Sequence, residues 1–224
     1  MKRILILALA AAIVLASCGK KESPAPAQAE DTHEAASLPD GKETETYAEE
    51  EDTQIHWDYT VLEDGTLSVW GYETENVPEI MEVPSEIDGH TVSEIDSLFT
   101  AEDRIRKVIL PETVVSIGPH AFAGSISIEE VVFGGVIENI SSKAFYECSG
   151  LRRLRFPDGL KNIGEVGIFM NKGLEELHVP ASVDMTVEEL GHAVFLTDET
   201  TIYAPAGSVW EEYAASVGYK FAAE

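Results

Sequence analysis

The sequence predicts a mainly β fold: a solenoid of about five turns of roughly 23 residues, closed by an N-terminal β-hairpin and a short C-terminal helix. Three observations predict it. An apolar position recurs at Val83, Val108, Val131, Leu154, Leu177 and Ile202, in steps of 25, 23, 23, 23 and 25 residues. The slots around it match from copy to copy, as in "IEEVVFGGVIENIS" (Ile128 to Ser141) and "LRRLRFPDGLKNIG" (Leu151 to Gly164). At the two ends, where stacking must stop, the pattern gives way to turn and helix-capping signals.

From the N-terminus, Lys2 and Arg3 precede an apolar run of 11 residues, Ile4 to Val14. That is too short to span a bilayer and suits the central part of a secretory signal peptide. The run ends in "LASC" (Leu15 to Cys18), which resembles the bacterial lipobox. The resemblance implies that residues 1–17 are a signal peptide and that Cys18 carries a diacylglycerol, which anchors the chain to a membrane without crossing it. Residues 18–54 are expected to be an acidic, disordered tether. From Gly19 to Gln54 there are 11 acidic and three basic residues and almost no large apolar ones, too little buriable surface to offset the entropy of ordering. Residues 55–82 are expected to form the hairpin cap. In "WDYTVLEDGTLSVWGY", Asp64-Gly65 separates two alternating runs, a strong hairpin signal.

Residues 83–204 carry the repeats. A period between 20 and 29 with an L-x-x-L-x-L strand reads as a leucine-rich repeat solenoid. No turn can bury its apolar face alone, so neighbours stack and share a core. A proline follows the recurring position in five of six copies, by three residues in four of them and directly in the fifth, Val83-Pro84. "IGPHAFAG" and "ISSKAFYEC" add a second matched segment, and "IGEVGIF" puts Ile168 in its aromatic slot. "ISSKAFYECSGLRRLRFP" (Ile140 to Pro157) resembles the BspA-type leucine-rich repeats of bacterial surface proteins, a likeness extending over about Trp57 to Phe221. It implies the fold, and a role in adhesion or partner binding. Residues 205–224 are expected to be the C-terminal cap: Ser208 to Glu211 is a capping-box pattern, and Gly218 stops the helix.

The net charge is -26, from 41 acidic and 15 basic residues. It argues against nucleic acid as a partner and against adsorption to an anionic membrane surface. Each recurring apolar residue points inward, so its sequence neighbours point out. The two preceding rows alternate in sign: Arg106, Glu129, Arg152, Glu175 and Lys107, Glu130, Arg153, Glu176. The following row, Ile109, Val132, Arg155, His178 and Tyr203, contains no acid and runs from aliphatic to cationic to aromatic. These five are the candidate partner-binding residues, with His178 expected to be an exposed strand residue. Cys148 is expected to be a small, buried, unpaired apolar side chain. The chain carries no catalytic, metal or cofactor motif, so it is not expected to be an enzyme or to need a cofactor. The expected function is a lipid-anchored recognition or adhesion module of the cell envelope, surface-facing by its resemblance, binding a protein or glycan. The alternative is a structural, self-assembling envelope protein.

Overall fold

The computed structural model describes residues 55–224. The expected signal peptide, Cys18 and the acidic tether lie outside the described residues. Along the chain the elements are β1 (His56–Val61), β2 (Leu67–Glu73), β3 (Ile80–Glu82), β4 (Glu86–Ile87), β5 (His90–Ile95), β6 (Lys107–Leu110), β7 (Ser116–Ile117), β8 (Glu130–Phe133), β9 (Asn139–Ile140), β10 (Phe145–Tyr146), β11 (Arg153–Arg155), β12 (Asn162–Ile163), β13 (Ile168–Phe169), β14 (Glu176–His178), α1 (Val187–Ala193), β15 (Val194–Phe195), β16 (Thr201–Ala204), α2 (Val209–Val217) and β17 (Lys220–Ala223). They form three sheets. The largest parallel ladder runs β3-β6-β8-β11-β14-β16-β17, a second sheet runs β1-β2-β5-β7-β9-β12 with β4 beside β5, and a third joins β10, β13 and β15.

The hairpin forms where Asp64-Gly65 placed it. Gly65 takes a left-handed φ of 84°, and the Asp64 carboxylate accepts from the Thr66 N–H (3.0 Å) and hydroxyl (2.7 Å). Those two bonds hold the Asp64 carboxyl below its ordinary range. β2 then pairs in parallel with β5, so the hairpin continues the second sheet.

In the main ladder Val108, Val131, Leu154, Leu177 and Ile202 stand in register, each at most 5% exposed. The first member differs from the sequence expectation. Met81, not Val83, pairs with Val108. Val83 is buried as well, because residues two apart on a strand share a face. Both residues therefore satisfy the apolar pattern, and only the pairing distinguishes them.

A second buried line runs through Phe99, Phe122 and Phe145, with ring centroids 5.2 and 4.9 Å apart and nearly parallel planes. It continues as Ile168 and Val194, as the aromatic-slot pattern led one to expect for Ile168. Just beyond this line each turn reaches back to its predecessor. Ser125 donates to the Phe99 carbonyl, Cys148 Sγ to the Phe122 carbonyl at 3.0 Å, and Asn171 Nδ2 to the Phe145 carbonyl at 3.0 Å. Cys148 is buried as expected, but it is also a hydrogen-bond donor, and burial pushes its thiol up to about 12. The backbone repeats too. Ser97, His120, Lys143 and Val166 all have φ between 48° and 57° or, for Lys143, 60°, a left-handed bend needed at the same corner of each turn.

The C-terminal region departs from expectation in two ways. The blurred segment 181–199 contains α1, whose N-cap Thr186 accepts from the Glu189 N–H while Glu189 bonds back to the Thr186 N–H, a complete capping box. At α2 the expected box does not close. The Ser208 side chain makes no cap bond, and Glu211 accepts instead from the Gly207 N–H at 2.6 Å. Gly218 ends α2 in the left-handed conformation, as expected. Past β15, among the described residues, no further strand joins the third sheet. Its backbone is met by two tyrosine hydroxyls: Tyr213 donates to the Val194 carbonyl (2.6 Å), and the Leu196 N–H donates to Tyr219 (3.1 Å). These hydroxyls satisfy groups that another turn would otherwise pair.

Candidate functional site on the strand face

The outward rows of the main ladder follow from its register. Lys107 pairs with Glu130 at 2.7 Å, Arg152 with Glu175 at 3.6 Å, and Arg106 with Glu129 and Arg153 with Glu176 at shorter range. Among the described residues no ion pair joins Glu129 to Arg152 or Glu130 to Arg153. The charges thus pair in twos instead of forming one unbroken ladder, with a cleft between the pairs lined by Glu129, Glu130, Arg152, Arg153, Glu175 and Glu176. Exposed pairs of this kind contribute roughly 0.2–1 kcal/mol each.

The five candidate residues also fall in one row, since Ile109 lies beside Val132, Arg155 beside His178, and His178 beside Tyr203. They are not equivalent. Ile109 and Val132 are half-buried, Arg155 is exposed and Tyr203 half-buried. His178, expected to be exposed, is only 6% exposed. The Tyr203 ring stacks on it with centroids 4.5 Å apart and planes 11° from parallel. Its Nδ1 lies 2.6 Å from an Arg155 guanidinium nitrogen and 3.0 Å from the Glu224 carboxylate, and its Nε2 lies 3.3 Å from Glu176. Bonds from Arg153 first and His178 second hold the Glu176 carboxyl below its ordinary range.

Two hollows flank this end of the row. One, of about 350 Å³, is lined by Phe133, Arg155, Phe156, Pro157, Pro180 and Pro205 among others, with Glu224 at its margin. The other, on the opposite side, includes Arg152, Lys172, Glu199 and Tyr203. The sequence signalled the first only through its recurring prolines. Nothing in the sequence pointed to Glu224, which reaches the row from β17, 46 residues after His178. Among the described residues, no group of three or more His, Cys, Asp or Glu side chains is placed to hold a metal ion, and no helix is long and apolar enough to cross a membrane.

Parallel turns with a recurring inward residue, a stacked aromatic line and side-chain bonds to the preceding turn define a leucine-rich repeat solenoid protein. More narrowly, residues 91–200 match the family model of the BspA type leucine-rich repeat region in six copies. No curated protein matches the chain. Solved structures share the fold, among them the following two. The leucine-rich repeat protein of T. pallidum is 24% identical with a TM-score of 0.52, over 66% of this chain and 68% of that one. The pneumococcal vaccine antigen PcpA is 19% identical with a TM-score of 0.52, over 72% of this chain and 46% of that one.

Proposed function

We propose that this protein is a lipid-anchored recognition module of a bacterial cell envelope that binds a protein or glycan partner through the C-terminal half of its strand face. The observation that carries this reading is the change of character along the row. At Ile109 and Val132 the row is aliphatic, half-buried and bordered by paired charges. From Arg155 to Tyr203 it presents a guanidinium and an aromatic ring between two hollows, the residue types enriched where binding energy concentrates. Lipid attachment at Cys18 is supported by the charged start, the apolar run and the "LASC" tetrapeptide together.

The test is capture of partners from envelope extract and a glycan panel by the purified full chain, beside an Arg155→Glu, Tyr203→Ala double variant with an unchanged circular dichroism spectrum. A partner held by the wild type and lost by the variant supports the reading. Equal capture by both moves the site away from this row. One observation favours a second, structural reading: β3 and β17 end the main ladder, each paired on one side only, and such edges can template self-association. Light scattering that showed mass rising with concentration would favour it.

A further inference from the structure

The contacts of His178 cannot all be hydrogen bonds at once. A guanidinium only donates, so the 2.6 Å contact from Arg155 requires Nδ1 to be a bare acceptor. A carboxylate only accepts, so the 3.0 Å contact with Glu224 requires Nδ1 to carry a proton. One nitrogen cannot do both. With the ring neutral, Nε2–H donates to Glu176, Nδ1 accepts from Arg155, and Glu224 is left to Arg155, 3.5 Å away. With the ring protonated, both nitrogens donate, one to Glu176 and one to Glu224, and the guanidinium faces a like charge.

We infer that His178 is a proton-operated switch that decides whether the Arg155 guanidinium, at the margin of the proline-lined hollow, is held by the ring and Glu224 or left unpaired. Every charged or titratable group recorded against the ring takes part: Arg155 from β11, Glu176 on β14 itself, Tyr203 from β16 and Glu224 after β17. Arg153 acts through its pair with Glu176. Histidine is the side chain suited to such a change near neutral pH. Arg155 is exposed and already lines the hollow, so acidification frees it from the ring and from Glu224 and leaves its charge unpaired there for an anionic group on the partner. This inference names the regulation of the site proposed above and rests on that proposal for its biological use, though not for its test.

The test is nuclear magnetic resonance of the full chain without any partner, following the side-chain signals of Arg155, His178 and Glu224 from pH 8 to pH 5. The expected result is that all three move together at one midpoint. In Glu224→Gln, which loses an anion favouring the protonated ring, the midpoint moves to lower pH. In Arg155→Met, which loses a cation opposing it, the midpoint moves to higher pH. Each displacement is expected to be roughly tenfold or more in proton concentration, as for a neighbouring charge removed. In His178→Gln the Arg155 signal should stay still. An Arg155 signal that does not move in the wild type, moves equally in His178→Gln, or has its midpoint displaced in the same direction by both charge variants overturns the inference. Because no partner is present, such a result leaves the binding proposal standing, and failed capture leaves the switch standing.

Discussion

Replacing Asn171 with leucine would strip two bonds from the interior in one step. Asn171 is 2% exposed. Its Nδ2 donates to the Phe145 carbonyl at 3.0 Å, and its Oδ1 accepts from the Cys148 N–H at 2.7 Å. Leucine has nearly the same size but leaves the Cys148 N–H buried without a partner and takes one of two bonds from the Phe145 carbonyl, which the β10–β13 pairing still engages. The orphaned N–H costs about 1–3 kcal/mol and the bond lost at the carbonyl about 1 kcal/mol, so the sum is roughly 2–4 kcal/mol, and the added apolar contact offsets about 1 kcal/mol of it. One turn earlier in the same slot, Cys148→Ser should be nearly neutral, within about 1 kcal/mol, because Ser125 makes the equivalent bond one turn before that. Urea unfolding of both variants and the wild type decides the matter. With a slope of about 1–3 kcal/mol per molar, the leucine variant should lose roughly 1 M in midpoint. If it unfolds with the wild type, or if Cys148→Ser loses as much, the slot is not a set of hydrogen bonds linking turns.

Gly173→Ala should cost about 1–3 kcal/mol in the same assay, since the new Cβ would lie 2.3 Å from the Ser149 carbonyl oxygen. Val166→Asn should stabilise the fold by about 1 kcal/mol, because a β-branched residue sits at a φ of 48° and asparagine tolerates that bend. Arg106→Ala should change stability by less than about 1 kcal/mol, and less still at high salt, measured by the same unfolding curves. Glu102 gives a pH signature. Burial opposes its ionisation, but the Tyr72 hydroxyl and the N–H groups of Arg104, Ile105 and Asp103 hold its carboxyl below the ordinary range. Its contribution is therefore present above the unfolded value of about 4.3 and is lost as pH falls through the lower folded value. Glu102→Gln should be less stable at pH 7, and the gap to the wild type should close in acid.

The solenoid could be read from the chain because its signal is repeated: the ladder from Val108 to Ile202 needs only spacing and inward polarity. Features expressed once were harder to read. Met81 and Val83 both suit an inward position, so strand parity could not choose between them. The capping box at Thr186 lay in a segment whose repeat slots had faded, while the matching letters at Ser208 formed no side-chain cap. The turn of "IDSLF" carries Phe99 in the aromatic line, but Leu98 replaces the small residue that marks Phe122 and Phe145, which hid the kinship. At the candidate site the row of five residues could be read from register alone. The burial of His178 could not, because Tyr203 and Glu224 reach it through contacts that no local pattern records.

The charges on the strand face that pair in twos give the array a parity. Every turn touches only its neighbours, so whole turns could be gained or lost with both ends intact. Removing the single turn that carries Glu129 would set Arg106 beside Arg152. Removing the next one as well would bring Arg106 to Glu175 and restore the match. Descendants of this array that differ by an even number of turns keep their electrostatic pairing without further substitution. Those that differ by an odd number must rewrite it.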